Sequence, residues 1–169
     1  LSDINIHEVL ERVRQIILAE FPKGLSFIRD YDVSVPTLRG DREQLLQVFL
    51  NIEKNAAEAL DGKIAEGTAE IRVITRVAQQ VQIGLRRYRL ALSIHIQDNG
   101  PGVPPEIRDR IFYPLVTGKA NGSGLGLSLA QNFIRQHDGS IDVESEPGKT
   151  DFRILLPLSP PETGDISPA

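Results

Sequence analysis

The sequence contains no cysteine, no methionine and no tryptophan. Without cysteine there are no disulfides, no thiolate metal sites and no thiol nucleophile. That absence fits a reducing cytoplasm, the expected location. No apolar run approaches the roughly 20 residues needed to span a bilayer, and no signal-peptide pattern opens the chain. The net charge is −4, so there is no diffuse basic surface of the kind that holds nucleic acid or an anionic membrane. A local anion site needs no such surface, because backbone N–H groups hold phosphate without net positive charge. Starting at Leu1 and lacking methionine, the sequence reads as a piece excised from a longer chain. Its 169 residues suffice for one domain with a sizeable core, and 40% hydrophobic with 25% charged residues is ordinary for a soluble globular protein.

Ile6, Val9, Leu10, Val13, Ile16 and Ile17 recur at helical spacing up to Phe21-Pro22 and predict a first amphipathic helix. Leu25 to Tyr31 alternates as a strand. Asp41 is placed to cap a long helix from Arg42 to about Leu60, stopped by Asp61-Gly62. Ala69–Val77 and Tyr88–Gln97 read as strands, with Val81–Leu85 less regular between them. From Asp98 to Gly126 the chain is dense in glycine and proline, with room for a short helix around Pro104–Ile111. Irregular segments of that length are uncommon unless functional or disordered. A helix over Leu125–Gln136 and a hairpin of Ser140–Glu146 with Asp151–Leu156 follow. Residues 1–158 are expected to form the domain and 159–169 a disordered tail. Strands and helices mix without regular βαβ alternation, which favours a mixed, mostly antiparallel sheet with helices on one face.

Three segments carry chemistry, and each alone has a bland alternative. Asn51 and Asn55 lie four residues apart on one face of the long helix. An amide oxygen is a suitable ligand for a hard cation such as Mg²⁺, although from this segment alone a pair of surface or capping amides is the favoured reading. Asp98-Asn99-Gly100-Pro101-Gly102 follows an apolar strand. It is either a plain turn or a carboxylate able to accept from an exocyclic amine, beside glycines that let a flat ring approach the backbone. Gly122-Ser123-Gly124-Leu125-Gly126-Leu127 opens the last helix, where free N–H groups and the helix dipole favour phosphate. A dinucleotide-binding loop needs a strand just before the glycines and an acid about 20 residues after them, whereas here the glycines follow a loop (Val116 to Asn121) and the acidic residue of interest lies upstream.

In this order, the three segments resemble the N, G1 and G2 boxes of the histidine-kinase ATP-binding domain, in the superfamily shared with gyrase B, MutL and the heat-shock chaperone ATPases. Ile111-Phe112-Tyr113-Pro114-Leu115 resembles the F box, Thr117-Gly118-Lys119 the stretch after it, and Gly148-Lys149-Thr150-Asp151-Phe152 the terminal hairpin. Arg86-Arg87-Tyr88-Arg89-Leu90-Ala91, with Asn5-Ile6-His7 and Ile28–Asp32, further resembles the nitrogen-regulation (NtrB-like) kinases. The resemblance implies a Bergerat-type two-layer α/β sandwich, α+β in class, with a flexible ATP lid. It implies that Asp98 accepts from the adenine amine and that Gly100 and Gly102 give the ring room. Asn55 would ligate Mg²⁺, Asn51 would lie beside the phosphates or metal, and Lys119 would reach the phosphates from the lid between Phe112 and Gly124. Ile107, Phe112 and the Gly122, Ser123, Gly124, Leu125, Gly126 and Leu127 run would complete the ATP site.

In ATPase branches of the superfamily a glutamate stands where this chain has Asn51. An amide has no usable pKa and is no general base, so Asn51 favours phosphotransfer over hydrolysis. His7-Glu8-Val9-Leu10-Glu11 departs from the acceptor pattern after two residues; His7 is expected on the surface of the first helix, His95 on the far side of the sheet and His137 at a helix end. The substrate histidine is therefore expected on a separate acceptor domain, with a response regulator downstream and a PII-type protein as a further partner. The isolated domain is expected to be monomeric. An ATPase of the same fold and a nucleotide-responsive docking module are the competing readings.

Overall fold

The computed structural model describes residues 1–112 and 126–163. In chain order the elements are β1 (Ser2–Ile4), α1 (Ile6–Glu20), β2 (Leu25–Asp30), β3 (Leu38–Gly40), α2 (Arg42–Ala59), α3 (Asp61–Glu66), β4 (Ala69–Ile83), β5 (Arg86–Asp98), α4 (Pro105–Arg108), α5 (Gly126–Gln136), β6 (Ser140–Glu146) and β7 (Lys149–Pro157). The main sheet has the order β2-β4-β5-β7-β6. The pair β2–β4 is parallel and the other pairs are antiparallel. A small antiparallel pair, β1–β3, lies outside it.

Both long helices start where a side chain can satisfy free N–H groups. Asn5 accepts from the His7 amide and Asp41 from the Gln44 amide, each cap contributing about 1 kcal/mol. The buried stripes are Ile6, Val9, Leu10, Val13 and Ile17 on α1, and Leu45, Val48, Phe49, Ile52, Ala56 and Ala57 on α2. They meet one face of the sheet, where alternate residues Ile71, Val73, Leu92, Ile94, Ile96, Phe152, Ile154 and Leu156 are buried in the same cluster. The other face carries the intervening residues, among them the cross-strand row Ile74, His95, Arg153 and Asp142. Among the described residues the long helices pack on one side of the sheet only, and His95, Arg153 and Asp142 are half-exposed or exposed on the other.

Three sequence readings change. Asp61-Gly62 does not end the helical region: the chain turns at the buried Leu60 and continues as α3, which Gly67 closes with a left-handed φ of 77°. The irregular stretch around Val81–Leu85 belongs to a long β4–β5 hairpin, turned at Gly84 with φ 60°. Gln80, at φ 52°, interrupts the alternation there, which is why periodicity faded. Residues 158–162 run along β5 where a disordered tail is expected from 159: the Leu158 amide donates to the Leu90 carbonyl and the Glu162 amide to that of Arg87. Because β7 ends at Pro157, that stretch of β5 has unpaired backbone groups, and the chain supplies their partners. Residues 164–169 lie outside the described residues.

Glu53 is the anomaly in the core. It is fully buried on α2, and neither carboxyl oxygen has a hydrogen-bond partner among the described residues. Burial, reinforced by the nearby Glu11 carboxylate, pushes its pKa well above the ordinary range. The native state then holds a proton that the unfolded chain releases above its ordinary value, so this site costs stability as pH rises. Glu53→Leu is expected to raise the urea midpoint at pH 7.5 by the equivalent of about 1–3 kcal/mol, with the gain shrinking toward pH 4.5. A gain that stays constant with pH would contradict a protonated Glu53.

Candidate functional site

The groove is built on one face of α2. Asn51, Asn55 and Ala59 are spaced four apart and therefore lie in line along it. Asn51 marks one end: its Nδ2 donates to the Gly126 carbonyl at 3.0 Å, and its Oδ1 accepts from Gln47 at 2.5 Å. A Cβ on Gly126 would sit 3.7 Å from that of Asn51, so the first turn of α5 lies directly against the amide. At the other end, a Cβ on Gly100 would lie 3.6 Å from the Ala59 carbonyl oxygen and 3.3 Å from Leu60. With Asn55 between them, the floor of the groove is about 12 Å long.

The far end is closed by Asp98, the last residue of β5, which is only 7% exposed. Its Oδ1 accepts from the Gly100 amide at 2.9 Å. Burial pushes its pKa up to about 6, and the Gly100 bond opposes only part of that shift. A carboxylate held in this way has lost hydration and keeps unused acceptor capacity facing the loop.

The loop after Asp98 is fixed on both sides. Asn99 Oδ1 accepts from the Glu70 amide and its Nδ2 donates to the Thr68 carbonyl, both at 2.8 Å, which ties the turn to the start of β4. The Val103 amide donates to Ser145 Oγ at 2.6 Å, and the Gly148 amide to the Gly100 carbonyl at 3.0 Å, binding the loop to the β6–β7 hairpin. Gly102 has no alternative residue: its φ is 88° and a Cβ would meet the Glu146 carbonyl oxygen at 2.7 Å. Ile107 and Phe112 are half-buried against the core, with Phe112 edge-on to Phe152 at 6.2 Å between centroids.

Of the residues named from the sequence, Asn51, Asn55, Asp98, Gly100 and Gly126 therefore share the groove. Gly102, Ile107 and Phe112 support or flank its loop, while Leu127 packs partly into the core. Lys119, Gly122, Ser123, Gly124 and Leu125 lie outside the described residues. Two residues were missed. Asn99 works as the turn's tie, a role its Asx-type chemistry signals. Thr150, 5% exposed, is the direct cross-strand partner of Asp98, and its Oγ1 lies 3.3 Å from Ser145 Oγ. Its importance depends on register between β5 and β7, which no local pattern reveals.

None of the histidines lies in the groove. His7 is not simply exposed as expected: it stacks on Tyr31 at 4.6 Å, and its Nε2 is 2.8 Å from the buried Thr75 hydroxyl. His95 is on the open sheet face, paired with Asp151 at 3.0 Å. His137 ends α5. A hollow of about 520 Å³ between the β4–β5 turn and the C-terminal half of α5 is lined by Arg86 and Tyr88 of the segment that resembles the nitrogen-regulation kinases, and by none of the residues named for the nucleotide.

The described residues form a domain of the two-layer α+β class, with Asn51 and Asn55 along one side of α2, the buried Asp98 carboxylate at one end and the start of α5 at the other. Residues 40–160 match the family described as "Histidine kinase-, DNA gyrase B-, and HSP90-like ATPase", and the chain belongs to that family. Among curated relatives, the sensory histidine kinase/phosphatase NtrB of Salmonella typhimurium is 49% identical over 154 residues, covering 91% of this chain and 43% of that protein. The NtrB of Rhodobacter capsulatus is 44% identical over 167 residues, covering 96% of this chain and 45% of that protein. The chain thus spans a little under half the length of these relatives. Among solved structures, the mycobacterial sensor histidine kinase MprB superposes with a TM-score of 0.72 at 25% identity, covering 94% of this chain and 99% of that one. The catalytic domain of the histidine kinase ThkA gives 0.73 at 23% identity, covering 93% and 95%, and shares the fold.

Asp98 places a second ionisable cost in the fold. Its raised value means that the native state binds a proton between the ordinary carboxylate value and about 6. Above pH 6 the cost of ionising it is fully present, and it disappears as pH falls toward 4. Asp98→Asn keeps the oxygen that accepts from Gly100. It is therefore expected to stabilise the nucleotide-free chain by roughly 2 kcal/mol at pH 7.5 and negligibly at pH 4, read from thermal midpoints at both values. Equal shifts at the two pH values would refute the assignment.

Proposed function

We propose that the groove binds Mg-ATP and presents its γ-phosphate to a histidine on a separate dimerisation and acceptor domain, the reaction of a protein-histidine kinase. The observation that carries the reading is the desolvated Asp98 carboxylate at one end of an amide-lined groove whose other end is the start of α5. Adenine is assigned to the Asp98 end, where the carboxylate accepts from the exocyclic amine and Gly100 leaves space for the ring. Thr150 adds a hydroxyl there. The phosphates are assigned to the start of α5, where helix N-terminal amides and dipole favour anions. Lys119 and the Gly122–Leu125 run are proposed to complete that end.

Among the described residues no cluster of three or more His, Cys, Asp or Glu side chains is able to hold a metal. Magnesium would be held here by a single amide oxygen, that of Asn55, together with phosphate oxygens and water. Bound there, the ion supplies charge neutralisation on the transferring phosphoryl group. The remaining work is positioning. Asn51 has both amide functions engaged, with Gln47 and Gly126, and provides no base to activate water. That arrangement supports transfer over hydrolysis. Glu58 is exposed and Glu53 is turned into the core, so neither replaces the missing base.

The NtrB relatives support a place in nitrogen regulation; the response regulator as final phosphate recipient and a PII-type protein as regulator belong to the proposal on the strength of the sequence resemblance. The phosphatase in their name belongs to this reading only at the level of the longer protein.

Asp98→Asn reverses the hydrogen-bond polarity facing the adenine amine, and Asn55→Ala removes the metal ligand. Each is expected to weaken Mg-ATP binding about ten- to a hundredfold by calorimetry, the range for losing a hydrogen bond or ligand to a charged group. With the NtrB-type acceptor domain and labelled Mg-ATP supplied, an acid-labile phosphohistidine is expected on that domain. Tight ATP binding with no such product, or steady phosphate release by this chain alone, would sink the kinase reading and favour the ATPase.

A further inference from the structure

Ala130 and Ile134 are fully buried on the described residues of α5, and Leu127 and Phe133 pack partly against the core; such a stripe sets which face α5 presents but resists sliding along α2 less than directional bonds do. Three polar ties run along the antiparallel α2–α5 pair. Asn51 meets Gly126 at the groove end, Gln44 Nε2 meets Gln136 Oε1 at 3.0 Å, and His137 closes the other end. The Gln44 tie is exposed.

The His137 tie is the most constrained of the three. The Asp41 amide can only donate, and it lies 3.0 Å from Nε2. The Phe133 carbonyl can only accept, and it lies 2.8 Å from Nδ1. The ring is therefore a neutral imidazole with its hydrogen on Nδ1. Through it the orphan carbonyl in the last turn of α5 is joined to the N-cap residue of α2. Gly40 leaves the ring its place, since a Cβ there would be 3.0 Å from Nε2 and Cδ2. The next residues anchor the same end to the sheet. Asp138 takes a φ of 60°, and at Gly139 a Cβ would lie 2.4 Å from the Leu155 carbonyl oxygen.

We propose that His137 is a positioning residue for the phosphate end of the nucleotide site. It fixes the register of α5 on α2 about 15 Å from the groove, so that the first turn of α5 stays against Asn51. The inference rests on the nucleotide reading above. It predicts a selective effect: His137 acts on the phosphates and not on adenine, which is held by Asp98 and the β5 end independently of α5.

The test measures Mg-ATP and adenosine affinities for the whole chain, wild type and three variants, with circular dichroism and thermal midpoints in parallel. His137→Phe keeps a ring but removes both hydrogen bonds. It is expected to weaken Mg-ATP about tenfold, the loss of one or two hydrogen bonds, with adenosine changed less than about twofold. His137→Gln retains an acceptor near the Nε2 position and is expected to recover most of the loss. Gly40→Ala pushes the intact ring aside and is expected to reproduce the Phe phenotype in milder form. Equal loss of ATP and adenosine, or a lower midpoint with unchanged ATP affinity, overturns the proposal. So does failure of both His137→Phe and Gly40→Ala to fold, which assigns the clamp to stability alone. A wild-type chain that binds adenosine but not Mg-ATP, or neither, contradicts the nucleotide reading itself and is distinguishable from these outcomes.

Discussion

Helix α2 must serve two environments along its whole length, and the rest of the structure is arranged around that demand. One side buries Leu45, Val48, Phe49, Ile52 and Ala56 against the sheet and α1. The other side carries Asn51 and Asn55, whose amides need polar partners or a ligand. A helix held only by its apolar stripe is free to shift by small rotations. Here its N-terminus is capped by Asp41, its middle is tied to α5 through Asn51, and its C-terminal end abuts the loop after Asp98. The groove is the space these three constraints leave open.

Two carboxyls sit inside this framework at a cost, and they differ in what the cost achieves. Asp98 is desolvated at a strand end, receives a hydrogen bond from Gly100 and faces a loop of glycines. A poorly hydrated acceptor is a strong one, because little water must be displaced when a donor arrives. Glu53 is buried on the opposite side of α2, without a partner among the described residues and near another acid, Glu11. It contributes nothing to the groove. The first lies where the proposed nucleotide site needs an acceptor, a place where such costs are common; the second lies outside that site.

Much of this was legible in order along the chain. Helical and alternating periodicity located α1, α2, β2, β6 and β7 within a residue or two, because each has a one-sided apolar pattern. The two amides on one helix face and the strand-end aspartate with its glycines were visible as motifs. The places where reading failed are those where tertiary contacts decide. Residues 158–162 pair with β5 because β7 stops short, and the β4–β5 hairpin continues through Gln80 because both flanks remain in register. Thr150 joins the site only because antiparallel register sets it across from Asp98.

Sequence alone determined the types of the long helices and the main-sheet strands, the one-sided sheet and the chemistry available at Asn51, Asn55 and Asp98, since periodicity and side-chain inventory are local properties; the short β1, β3 and α3 carry too little periodicity to be read. Tertiary structure decided which of those groups meet. It set Asn51 against Gly126, closed the groove with Gly100 over Ala59, and carried His137 to Asp41, 96 positions away along the chain. Those pairings follow from packing α5 antiparallel on α2 and β7 beside β5. Distance along a chain says nothing about such contacts until burial of the shared core has brought the elements together.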